Sequence, residues 1–224
     1  LLTLPVTDEY GRLVGTLKIE DMIFVLQEEA TEDMYRMVGV YEEEKLLGPI
    51  LLSVKGRLPW LFINLITVGF AAVVITLFQS TLSQVLVLAV FIPVIAGQGG
   101  IAGTQTLTLV VRSMALGEIR KSDSARLLCK ELGIGLIHGV MLGLVAGIVA
   151  YYWHGSEYIG AVVGVAMLGN IIVASISGVS LPLVLKALNI DPALASAVVV
   201  TTLTDVIGLG LYLGLATILL PVIT

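Results

Sequence analysis

The sequence predicts an all-α polytopic membrane protein with five transmembrane helices, preceded by a partial α/β fragment. Three observations carry this. Hydrophobic residues make up 57% of the 224 and charged residues 13%, with a mean hydropathy of +1.02, beyond what a water-facing surface tolerates. Apolar runs at 61–79, 84–111, 131–153, 158–186 and 192–220 each match or exceed the ~20 residues that cross hydrocarbon as a helix. The charges are segregated, residues 1–59 holding six of the 12 bases and eleven of the 17 acids. One cysteine, Cys129, excludes a disulfide scaffold or a Cys-rich metal site. A net charge of −5 has the wrong sign for nucleic acid.

The head alternates apolar and polar residues from Leu1, turns at Asp8–Gly11, alternates again and passes into helical spacing, which predicts strand, turn, strand, helix. Two strands and a helix do not bury a core, so we expect the natural chain to extend upstream or this piece to dock elsewhere. Between Glu28 and Glu44 seven acids face one base, Arg36, in a predicted helix with a break near Gly39. Such a charge run repels itself unless cations sit in it. Gly48-Pro49 and Leu58-Pro59-Trp60 mark the connection into the membrane, with Trp60 as an interface anchor.

The second, fourth and fifth runs would be about 40 Å long as helices, against a hydrocarbon core of ~30 Å. Tilt, protruding ends or breaks follow, with Pro93 and Pro182 as the expected breaks. All bases lie in the head, between the second and third runs, or just after the fourth at Lys186. The bias places the amino terminus inside and the carboxyl terminus outside.

Asp205 is the one acid deep within an apolar run, with no Lys or Arg in the same segment. An intramembrane carboxylate is by default a functional site; the alternative is a protonated Asp bonded to a neighbouring helix. Ala193, Ala197, Thr201 and Asp205 form one i, i+4 row of small or polar residues, as a water-filled path requires. Hard carboxylate oxygen without thiolate or imidazole neighbours favours a hard cation. One carboxylate does not balance a dication, but a two-fold axis would pair two Asp205 side chains, and a divalent ion between them offsets their repulsion. Mg2+ suits such a site because it keeps several waters. Thr201 can add a hydroxyl or carbonyl one turn away.

In the second run Pro93 precedes Gly97, Gly99, Gly100 and Gly103 around Gln98, Thr104 and Gln105. This composition weakens helix continuity, and free carbonyls at membrane depth need protein or water beside them. The stretch is expected to line or flank the path; close helix packing explains the glycines equally well. Gly97, Gly99 and Ala102 fit G-x-G-x-x-A, but without a preceding strand the dinucleotide reading fails. Gly135, Gly139, Gly143 and Gly147 make a small-xxx-small packing seam, and His138 beside it is expected to be buried and hydrogen bonded. Catalysis is not expected. An intramembrane aspartyl protease needs two membrane carboxylates, and nothing places Ser175, Ser177 or Ser180 beside His138 as nucleophile and base.

These residues resemble a known family. PVIAGQGGIAGTQT followed by VVRSMALGE, and DPALASAVVVTTLTDVIGLGLY, are similar to the MgtE family of magnesium channels over nearly the whole chain. LPVTDEYGRLVGTLKIEDM resembles the end of a CBS domain. The resemblance implies residues 1–29 as the C-terminal part of a CBS domain, 30–59 as an acidic connecting or plug helix beginning near Glu28, and 60–224 as a pore domain. It further implies a homodimer of five-helix domains in the cell (inner) membrane with the pore on the dimer axis and Asp205 as its central ion-binding residue. Mg2+ would be the cargo, and cytosolic Mg2+ would lock the plug helices over the pore. Glu29, Glu32 and Asp33 match the E-x-x-E-D cluster at the plug, and Asp21 is a further sensing candidate. Two features depart from the pattern. Ala197 replaces a residue that is polar in some members, and Lys18 stands where nucleotide-binding CBS domains carry Ser or Thr, which argues against ATP regulation. The expectation is a magnesium-selective channel closed by internal Mg2+; the alternatives are a proton- or sodium-coupled divalent-cation transporter and a membrane-anchored sensor.

Overall fold

The structure, a computed structural model, describes residues 3–40, 44, 46–119, 123–192 and 197–223, the side chains at 26–30, 33, 222 and 223 excepted. The head follows the predicted order. Strands β1 (Thr3–Thr7) and β2 (Leu13–Lys18) pair antiparallel. Asp8 builds the turn, its carboxylate accepting from the backbone N–H of Tyr10 at 2.9 Å and of Arg12 at 2.8 Å, with Gly11 at φ +76°. This is the Asx geometry that makes Asp a turn former.

Helix α1 (Ile19–Met37) runs unbroken across the 29/30 boundary. Asp21 accepts from the Lys18 backbone N–H at 3.1 Å and so satisfies a donor outside the helical ladder. The break near Gly39 is present: Gly39 takes φ +70°, and the Val40 N–H bonds the Tyr35 carbonyl at 2.9 Å, a Schellman-type end.

Beyond it come α2 (Ile50–Leu77), a short α3 (Gln79–Gln84), α4 (Leu88–Ala115), α5 (Ser124–His154), α6 (Glu157–Ala187), α7 (Ala197–Ile218) and a terminal turn α8 (Leu220–Ile223). Five of these helices, α2 and α4 to α7, are long and apolar enough to cross a membrane. At 1.5 Å per residue the 28- to 31-residue members are about 42–46 Å long, which requires tilt or protruding ends.

Three expectations about helix continuity need correction. The first span begins at Ile50 and carries Pro59 inside it, and neither Pro93 nor Pro182 breaks its helix. Proline's fixed φ is itself helical; its cost is a lost donor and a clash with the carbonyl four residues back. In a membrane bundle, neighbouring helices and local backbone adjustment satisfy the freed carbonyls, so Pro93 and Pro182 are accommodated.

Helix α6 is the centre of the bundle. Ile171, Met167 and Val163 on it pack with Leu88, Phe91 and Ile95 of α4 and Tyr212, Leu213 and Ala216 of α7 in one buried cluster. The Tyr212 hydroxyl donates to the Leu88 carbonyl at 2.9 Å. Because lipid tails are as apolar as leucine, such contacts hold through close packing and internal hydrogen bonds rather than transfer out of water.

The glycine seam of α5 performs the packing expected of it. A Cβ at Gly143 would stand 2.6 Å from the Gly164 carbonyl oxygen, and one at Gly147 would stand 2.7 Å from that of Gly160, so the two backbones touch. His138 does not behave as expected: it lies on an exposed face of α5. The seam fills the opposing side with glycines and leaves no room for an imidazole there.

Gly143→Leu should therefore lower the thermal midpoint of the detergent-solubilised protein by several degrees, since overpacking against backbone costs about 1–3 kcal/mol. Gly133→Ala, where nothing lies within 4 Å of the new methyl, should leave the midpoint unchanged in the same scan.

Candidate functional site

Helices α4 and α7 cross with glycine between them. A Cβ at Gly100 would lie 3.1 Å from Thr201 Cγ2. Beside this crossing is a cavity of about 1020 Å3, lined on α4 from Pro93 to Leu109 and on α7 by Thr201 and Asp205. Asp205 is the ninth residue of the 22-residue α7, close to the middle of that helix, and half-buried. Among the described residues it has no hydrogen-bond or ion-pair partner. The alternative of a carboxyl bonded to an adjacent helix is thus not what the structure contains.

The hydroxyls around the cavity share one polarity. Thr104 donates to the Gly100 carbonyl at 2.8 Å, Thr108 to the Thr104 carbonyl at 2.8 Å and Thr201 to the Val198 carbonyl at 3.1 Å. Each proton is turned back onto its own helix, as buried helical Thr commonly does, which leaves oxygen lone pairs for the cavity. With the Asp205 carboxylate, the lining can accept from water or coordinate a hard cation.

The Pro-Gly stretch serves both roles weighed for it, on different faces. Gly97 and Gly100 line the cavity, whereas Gly99 and Gly103 press against Asn170 and Val200. The expected weakening of the helix is absent, since α4 is continuous from Leu88 to Ala115. Ala197, the first residue of α7, is not among the lining residues, and Ala193 falls outside the described residues.

The sensing candidates are dispersed. Asp21 and Glu32, eleven residues apart on α1, are about 16 Å apart along the axis and do not share an ion within one chain. The side chains of Glu29 and Asp33 lie outside the described residues. Glu32 pairs with Arg36, and Arg36 reaches 2.6 Å to Asp191, in the connection between α6 and α7. Sequence reading did not single out Asp191, because only the fold brings it to α1. Close by, Met37 packs on Leu107, Val111 and Val200, and Gly39 abuts Trp60, a Cβ there standing 2.7 Å from Trp60 Cγ. Arg57 binds Glu44 through Nε at 2.9 Å and holds its carboxyl below the usual carboxylate range. That tie is present at neutral pH and is lost as acid protonates Glu44.

Sequence reading also passed over Glu131. It is buried near the start of α5 and accepts from the Thr106 hydroxyl at 3.1 Å, on the face of α4 turned away from the cavity.

Residues 92–215 match the MgtE family model, described as a divalent cation transporter. The matched stretch contains the cavity-facing parts of α4 and α7, including Asp205. The chain belongs to the MgtE family. A relative from Thermus thermophilus named "Magnesium transporter MgtE" is 39% identical over 98% of this chain and 49% of its own length. Proteins of the same name from Enterococcus faecalis and Bacillus subtilis are 38% and 32% identical, each over 96% of this chain. The chain spans about half the length of the curated relatives it matches. MgtE members are classed as transporters.

The Arg36–Asp191 pair is part-exposed on both sides, at 37% and 36%, so solvent screening limits it to about 0.5–1 kcal/mol. Arg36→Gln should raise the undocked population of α1 by about two- to fivefold. Limited proteolysis within α1 should accelerate accordingly, and Asp191→Asn added to it should have little further effect.

Proposed function

We propose that this chain is the pore-forming part of a homodimeric magnesium channel of the cell membrane, and that Asp205 is the central ion-binding residue. The observation that carries the reading is an unpaired carboxylate close to the middle of α7, in a cavity whose hydroxyls present only lone pairs. One chain supplies one side of such a path. A two-fold axis beside α4 and α7 brings two Asp205 carboxylates and two Thr201 hydroxyls around one ion. Two negative charges balance one dication, and the threonine and backbone oxygens hold its water shell, as Mg2+ requires. Ala197, one turn before Thr201, lies outside the cavity lining and adds no ligand.

The basic residues Arg112, Arg126, Lys130 and Lys186 lie at the α1 end of the bundle, which supports an inside amino terminus and an outside carboxyl terminus. Residues 1–29 are read as the end of a CBS domain, 30–59 as the plug and 60–224 as the pore domain. Cytosolic Mg2+ at Glu29, Glu32, Asp33 and Asp21 favours the docked plug, a shift produced by higher affinity for that state. The contact of Arg36 with Asp191 supports docking of α1 at the inner mouth.

Reconstitution in vesicles containing a Mg2+-sensitive dye tests the reading. Asp205→Asn should cut influx more than about tenfold, because the ion then loses both balancing charges. Influx equal to wild type would reject Asp205 as the ion site. Planar-bilayer recording should show discrete openings, whereas a proton- or sodium-coupled exchanger would show flux without resolvable currents.

A further inference from the structure

Asn170 sits within α6, fully buried, at the junction of α4, α6 and α7. Its amide lies between two glycines. A Cβ at Gly99 of α4 would stand 2.8 Å from Asn170 Cγ, and one at Gly208 of α7 would stand 2.7 Å from Nδ2, nearer still to Oδ1. The Nδ2 group donates to the Ile95 carbonyl of α4 at 2.7 Å. Among the described residues, no N–H or O–H reaches Oδ1. That oxygen lies against Gly208, where the two helices approach closely enough for Cα–H···O contacts.

An apolar side chain would pack three helices without the desolvation cost of a buried amide. An amide adds direction: it grips α4 through Ile95 and abuts α7 at Gly208. Both helices also line the cavity. Ile95 and Gly99 precede the lining residues Ala96 and Gly100, and Gly208 follows Asp205 by three positions. The Asn170 amide thus stands between α4 and α7 beside the direct Gly100–Thr201 and Gly103–Val200 contacts.

We propose that Asn170 is a positioning residue that sets the α4–α7 spacing around Asp205 and thereby the size of dication the path favours. The selectivity part rests on the pore reading above; the spacing part does not. Mg2+ demands tight octahedral surroundings and Ca2+ tolerates looser ones, so relaxing the strut favours the larger ion.

Two measurements on the protein test this, one independent of transport. A Cβ at Gly100 would lie 3.7 Å from Thr201 Cβ, within the ~3.5–4.5 Å that a disulfide spans. In a Cys129→Ser background, the pair Gly100→Cys with Thr201→Cys should cross-link under a mild oxidant, read as loss of maleimide-reactive thiols. Adding Asn170→Leu should slow that cross-link by about tenfold, as the Cβ atoms leave bonding range. Asn170→Leu alone should raise the Ca2+-to-Mg2+ influx ratio by about threefold or more in vesicles. Asn170→Asp, whose buried carboxyl takes a proton and keeps both donor and acceptor, should restore values close to wild type. Asn170→Ala replaces the leucine variant if that does not fold. An unchanged cross-linking rate overturns the proposal, as does a slowed cross-link with an unchanged ion ratio. Wild-type protein that moves neither dication would instead fail the pore reading, and the cross-link would still decide the spacing.

Discussion

A charge inside hydrocarbon must meet water, a counter-ion or a proton, and the architecture of α4 and α7 follows from that requirement at Asp205. The carboxylate lies on the face of α7 that opens to the cavity, one turn from Thr201 and opposite the glycine-rich face of α4. Had this face been turned to lipid or sealed against α6, the carboxyl would be neutral and inert. The threonines contribute by what they withhold: with their protons given to their own helices, they turn only oxygen lone pairs to the cavity. An anion finds no donor among them.

Close approach of helices is the second requirement, and glycine meets it twice over. On the α5–α6 seam it brings backbone against backbone, which fixes a wall away from the cavity. At the α4–α6–α7 junction the same residue type makes room for one polar side chain and, around the helix, leaves the cavity wide. A single stretch, Gly97 to Gly103, thus serves packing and lining by alternating faces every few residues, as a 3.6-residue period dictates.

Much of this was legible in the sequence. Length and hydropathy located all five spans, alternation located the hairpin, and the isolation of Asp205 in an apolar run singled it out. The errors share a cause. Proline was read as a break at Pro93 and Pro182, yet whether a proline interrupts a membrane helix depends on whether packed neighbours satisfy the carbonyl it frees. His138 was assigned to the interior from its nearness to the seam, but a seam of glycines leaves no space for it. Asn170, Glu131 and Asp191 were passed over because each gains its significance from a partner distant in sequence: Ile95, Thr106 and Arg36. Periodicity reports which face of a helix is apolar and does not report which other helix it meets.

Helix α2 stands apart from the rest of the bundle. Among the described residues it is largely exposed and leans chiefly on α7, while near its start Trp60 seats against Gly39 just past the end of α1. Its amino-terminal half meets the segment just past α1, and its length runs along α7, the helix that bears Asp205. One continuous helix thus touches both the segment that follows α1 and the helix that bears Asp205.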